Sequence, residues 1–112
     1  MKGTNLGELE ELIMLTVALL YNDAYGVAIQ KEIKARCDRS ITISTVHAAL
    51  ARLHKKGFVE SRYDGATPER GGRRKHLFTL TKSGQQALVQ VKEQRDAIWA
   101  DIPNVALEFA HI

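Results

Sequence analysis

Cysteine is nearly absent from this chain of 112 residues: Cys37 stands alone. No intramolecular disulfide can form, which suits a reducing cytoplasm. Long apolar runs are missing as well. No stretch approaches the roughly 20 residues a membrane-spanning helix needs. Nor does the start of the chain show a basic segment, an apolar stretch and a small-residue cleavage site, so no secretory leader is expected. The usual catalytic groupings are also lacking. No Ser-His-Asp, Cys-His or paired-carboxylate arrangement stands out, and no enzyme is expected. The glycines at 71 and 72 do not fit the Gly-x-x-x-x-Gly-Lys-Ser/Thr phosphate loop, because they lie in a hairpin-like segment instead of between strand and helix. His47, His54, His76 and His111 with Cys37 do not make a metal site. His47 and His54 are seven apart, not at the i, i+4 spacing of a helical metal pair, and no Cys-x-x-Cys exists. Neither a metal nor a cofactor is expected.

What remains is ordinary in amount and uneven in placement. Apolar residues make up 45 % and charged residues 26 %, a globular composition of one-domain length. The net charge of +3 is mild. Its distribution is not. Residues 1–24 carry Lys2 against Glu8, Glu10, Glu11 and Asp23. Residues 52–76 carry Arg52, Lys55, Lys56, Arg62, Arg70, Arg73, Arg74 and Lys75 against Glu60, Asp64 and Glu69. Positive charge gathered in one middle segment between acidic ends is the footprint of a surface that faces phosphates.

Periodicity divides the chain. Leu6, Leu9, Leu12, Ile13, Thr16, Val17 and Leu20 keep the 3–4 spacing of one helical face, with the acidic residues in the first turns. Asn22 and Asp23 break the pattern and are expected to cap a second helix over about 24–37, with Tyr25, Ala28, Ile29 and Ile33 on one side. Ile41-Thr42-Ile43 reads as a very short strand. Ser44 is the expected N-cap of a third helix, whose buried stripe is Val46, Ala49, Leu50 and Leu53 and whose left-handed C-terminal cap is Gly57. Phe58 to Tyr63 and Lys75 to Leu80 read as two strands around a polar Gly/Pro loop, a hairpin. Thr81 then caps a final helix to about Ile102, roughly 30 Å long at 1.5 Å per residue. Pro103 ends it, and a short apolar tail follows.

Helix, helix, helix, basic hairpin and long helix spell a mainly α (α+β) fold, the winged helix-turn-helix, with a long C-terminal dimerisation helix. Residues 1–80 are expected to form the DNA-binding part and 81–112 the dimerisation helix and tail. Tyr25-Gly26-Val27-Ala28-Ile29-Gln30-Lys31-Glu32-Ile33, the segment from Ala48 to Val59 and the segment from Gly71 to Gly84 stand in this order along the chain. In these segments, and along nearly its full length, the chain resembles the PadR family of bacterial regulators. It implies a dimeric repressor that binds duplex DNA and often answers to a small aromatic or cationic effector. One departure stands out. The family usually carries a Tyr early in the third helix, where this chain has Val46-His47. Base preference therefore cannot be carried over from relatives.

With the stripe on α-helical residues 46, 49, 50 and 53 turned inward, Thr45, His47, Ala48 and Arg52 face outward, where an α-helix fits the major groove. Ser44 and the free N–H groups beside it suit a phosphate. Arg70, Arg73, Arg74 and Lys75 flank the two wing glycines, which let the backbone approach DNA closely. On the last helix Leu88, Val91, Arg95, Ile98 and Ile102 form a heptad-like seam broken by Arg95, the expected dimer interface. Trp99 beside it is either an interface core residue or a stacking platform for a planar ligand. An acidic protein surface is the alternative partner for the same basic face, which would make the chain a docking module. An architectural protein, without an effector, would bind DNA nearly regardless of sequence.

Overall fold

The computed structural model describes residues 6–65 and 74–111, with side chains as far as Glu108. Four α-helices carry the chain: α1 (Glu8–Leu20), α2 (Gly26–Cys37), α3 (Ile43–Lys55) and α4 (Lys82–Asp101). Between α3 and α4 lie the strands β1 (Val59–Tyr63) and β2 (His76–Leu80), and a 3-10 segment, Asn104–His111, ends the chain. The strands pair antiparallel with Val59 opposite Leu80 and Tyr63 opposite His76. This is a winged helix-turn-helix.

The core forms where the three helical stripes meet the hairpin. Ile13, Met14 and Val17 of α1, Ile29 and Ile33 of α2, and Val46, Ala49, Leu50 and Leu53 of α3 are all buried, with Val59 and Phe78 from the sheet. The stripe read on the third helix is therefore the observed one. Gly57 has φ +79°, the left-handed cap that lets the chain turn from α3 into β1 at little steric cost. Thr81 caps α4 by accepting a hydrogen bond from the Gly84 N–H at 3.0 Å.

Three local expectations are corrected. Thr42, not Ser44, is the N-cap of α3: it is extended, and its Oγ1 accepts the Thr45 N–H at 3.1 Å. Ile43 is consequently the first helical residue, and Ser44 lies in the first turn. Residues 41–43 form no strand, because no neighbouring strand offers a ladder; the Ile41 carbonyl instead accepts from Gln30 Nε2 at 2.8 Å. Neither Asn22 nor Asp23 caps α2. They belong to a 3-10 turn, Tyr21–Asp23, and the N-cap is the extended Tyr25, which has no side-chain cap. Tyr25 is held there by tertiary pairing, an isolated bridge to Leu77, beside a 2.8 Å bond from the Phe78 N–H to the Ala24 carbonyl. The hairpin thus gains a short third partner that anchors the start of α2.

The first half of α4 closes the core and the second half leaves it. Gly84, Ala87 and Val91 are buried, and Leu88 packs partly against the core. Residues 92–101 are exposed. The radius of gyration is 16.6 Å and the long dimension 57 Å. A compact chain of this length has a radius near ~13 Å. The excess is the arm made by α4 and the 3-10 segment after it.

Candidate nucleic-acid interface

Helix α3 owes its position to α1 and α2 on its inner side and to Gly26 at its start. A methyl group at Gly26 would lie 2.9 Å from the His47 ring, so the glycine lets α2 approach the outward side of α3. Ser44, His47, Ala48 and Arg52 are exposed and Thr45 is half-buried. The α3 N-terminus gathers three hydroxyls, with Thr42 Oγ1 at 3.1 Å from Ser44 Oγ and 2.8 Å from Thr45 Oγ1. Hydroxyls and N–H groups at a helix start suit a phosphate oxygen. Of the four residues expected on the outward side, His47, Ala48 and Arg52 are exposed and Thr45 is half-buried, with the exposed Ser44 beside them.

The wing root stands beside it. Tyr63 and His76 stack at 4.3 Å between centroids, and His76 meets Phe78 at 4.5 Å. Burial, together with the nearby His47 and His54, holds the His76 imidazole below its usual pKa. Arg74 lies over the Tyr63 ring at 4.5 Å. Lys75 lies over the Tyr25 ring at 4.6 Å and pairs with Asp23 at 3.3 Å. The aromatic rings thus position both cations near the hairpin base. Arg70 and Arg73 lie outside the described residues.

One charged group that belongs to this region escaped the reading of the sequence. Glu10 is only 5 % exposed. Its Oε1 accepts from the Gly7 N–H at 2.9 Å and from Lys56 Nζ at 2.8 Å, and its Oε2 accepts from Arg52 Nε at 3.2 Å. The signal was present: Glu10 stands three, four and seven residues before Ile13, Met14 and Val17, on the buried stripe itself. Burial pushes its carboxyl up, but the bonds from Lys56, Gly7 and Arg52 outweigh this and hold its pKa below the ordinary 4.5. A carboxylate lowered in the folded state adds stability above its unfolded pKa, and that stability is lost as pH falls through the folded value. The melting temperature of the native chain is therefore expected to drop more steeply below about pH 4.5 than that of Glu10→Gln. Parallel acid melts of both proteins would refute this if the two fall together.

The expected dimer seam divides. Leu88 and Val91 are covered by their own protomer. Ile98 is 66 % and Trp99 61 % exposed, and Ile102 is half-buried. Arg95, the interruption in the seam, pairs with Glu11 of α1 at 2.7 Å. Trp99, Ile102, Pro103, Val105, Leu107 and Glu108 line an open cleft of about 500 Å³ where the 3-10 segment folds back against the end of α4. Among the described residues, no helix is long and apolar enough to cross a membrane.

A helix-turn-helix with a buried inner stripe, an open outer face and a wing beside it defines a transcriptional regulator of the winged-helix class. The family model for the transcriptional regulator PadR-like family matches residues 14–90. This chain belongs to that family. An uncharacterised protein of Lysinibacillus sphaericus is 30 % identical over 101 residues, covering 88 % of this chain and 84 % of its own. The structure of Bacillus subtilis PadR in complex with operator DNA is similar at 26 % identity and a TM-score of 0.60, over 74 % of this chain and 45 % of that one. A PadR-like regulator from Bacillus cereus shares the fold, at 15 % identity and a TM-score of 0.71, over 88 % and 90 % of the two chains.

Proposed function

We propose that this PadR-like regulator is a cytoplasmic repressor that binds a palindromic operator as a homodimer. The observation that carries the reading is the outer face of α3. Its inner stripe is fully buried, while Ser44, Thr45, His47, Ala48 and Arg52 are left to meet base edges and phosphates beside the wing. Arg70, Arg73, Arg74 and Lys75 of the wing then hold the adjacent backbone. The similarity to B. subtilis PadR, crystallised with operator DNA, supports the same kind of partner.

The winged part, residues 1–80, binds each half-site, and the helix and tail of residues 81–112 join two copies. In this reading Ile98 and Ile102 meet their counterparts beside Trp99, while Leu88 and Val91 support the seam from within each protomer. A two-fold pair sets two recognition helices about 34 Å apart, one turn of DNA. A small aromatic or cationic effector stacks on Trp99 in the cleft, where Glu108 suits a positive group. By changing how the terminal helices pack, it alters the separation of the two α3 helices and releases the operator.

The test is fluorescence anisotropy on duplexes selected by the protein from a random pool, at two salt concentrations, beside Arg73→Ala/Arg74→Ala. The native protein is expected to select a palindrome and to load two subunits per site. In the double variant the log–log salt slope should be smaller by about 3.6, near 0.9 for each of the four phosphate contacts that the two subunits lose. Absence of duplex binding at low salt would assign the basic face to an acidic protein partner instead.

A further inference from the structure

The carboxylate of Glu10 lies at the joint between α1 and the recognition helix. Both of its cations come from the C-terminal end of α3: Arg52 in the last turn and Lys56 at the C-cap. A buried carboxylate is unfavourable unless it is well partnered, and Glu10 has three such partners in Gly7, Arg52 and Lys56. Arg52 follows Ala48 by four residues and so shares its outward side of α3. Its side chain is 54 % exposed, with one edge, Nε, tied down by Glu10. A guanidinium held by one edge offers its remaining donors in a fixed direction, whereas a free one follows any nearby phosphate.

Discrimination is a difference between two affinities. The sequence-independent affinity grows with each cation available to phosphates, and the sequence-dependent part grows with the precision of base contacts. A buried anion behind Arg52 acts on both, in opposite directions. We infer that Glu10 is a specificity-determining residue of DNA recognition: it fixes the pose of Arg52 and cancels one of the positive charges that Arg52, Lys55 and Lys56 gather at the end of α3. The inference rests on the DNA-binding reading above. Glu10 is a positioning residue, since it acts through Arg52 and not by touching DNA.

Two variants test it, on the duplex the native protein selects and on a scrambled duplex of equal length. Glu10→Gln keeps the shape and the acceptor for Gly7 but removes the charge. Arg52→Lys keeps the charge but removes the Nε edge. Glu10→Gln is expected to bind scrambled duplex more tightly. Between 50 and 200 mM salt that affinity should fall about 12-fold more than the native affinity, the effect of one added phosphate contact in each of the two subunits. Its preference for the selected site should shrink about tenfold per half-site, the worth of one well-formed base contact in each. Arg52→Lys should show the same loss of preference for the selected site. A folded Glu10→Gln with native salt dependence and native preference would overturn the inference. So would native preference in Arg52→Lys, a result that stands even if Glu10→Gln does not fold. If the native protein binds no duplex, the functional reading falls and this inference with it. If the native protein is selective and both variants match it, only the inference falls.

Discussion

Gly84→Ala is expected to destabilise the chain by about 3 kcal/mol, although alanine is the better helix former by about 1 kcal/mol. Gly84 lies in the first turn of α4, directly against the chain that leaves α3 for β1. A methyl group there would overlap the Phe58 carbonyl oxygen and approach the Phe58 carbonyl carbon to 3.0 Å. Neither side can give way cheaply. The same Phe58 carbonyl accepts the Thr81 N–H at 3.0 Å, and Thr81 Oγ1 donates to the Gly57 carbonyl at 2.6 Å. Movement of α4 would therefore break the junction that joins it to the end of α3 and the start of the wing. Thermal melts should show a loss on the order of 15 °C for a domain of this size. A variant that melts within a few degrees of the native protein would show that the junction is soft.

The second large effect concerns assembly. Ile98→Asp/Trp99→Asp is expected to yield a monomer and to weaken operator binding 10²- to 10⁴-fold, the usual gain from linking two half-site contacts. Both side chains are more than half exposed in the single protomer, so the melting temperature of the winged part should be nearly unchanged. Light scattering on a sizing column would report the mass, and anisotropy the affinity. A double variant that stays dimeric would move the interface elsewhere, and the exposed Leu15 and Leu19 of α1 would be the next surface to probe. A native protein that is already monomeric would remove the basis for a palindromic operator. The separation of effects is the useful feature: Gly84→Ala acts on the fold, and the α4 pair acts on assembly alone.

Much of the site region was legible before any coordinates. The stripe of Val46, Ala49, Leu50 and Leu53 determined which side of α3 is buried, and hence which residues face outward. That reading needs only the 3.6-residue period. Gly57 and Thr81 were equally legible, since each cap is satisfied within a few residues. On α4 the apolar spacing was visible, but the use of Leu88 and Val91 by the chain's own core depends on where α1 and the sheet lie.

Placement of the α3 cap shows where local chemistry falls short. Thr42 and Ser44 both carry a hydroxyl that can accept an N–H at a helix start. In the fold, Ile43 is the first helical residue and its Cδ1 lies close to Gly26 on α2, a packing that goes with Thr42 as the cap. Tyr25 is likewise placed by its bridge to Leu77 and not by any capping side chain of its own.

The sequence by itself determined the order of the four helices and the hairpin, the inner face of α3, two of the caps and the concentration of positive charge in the middle of the chain. These follow from periodicity and from hydrogen bonds that close within a turn. The tertiary structure alone decided the long-range partners of the charges. Glu10 meets Arg52 and Lys56 across 42 and 46 residues, Arg95 reaches Glu11 across 84, and Lys75 reaches Asp23 across 52. Such pairings have no local signature, because a Coulomb attraction selects whichever opposite charge the packed backbone brings within reach.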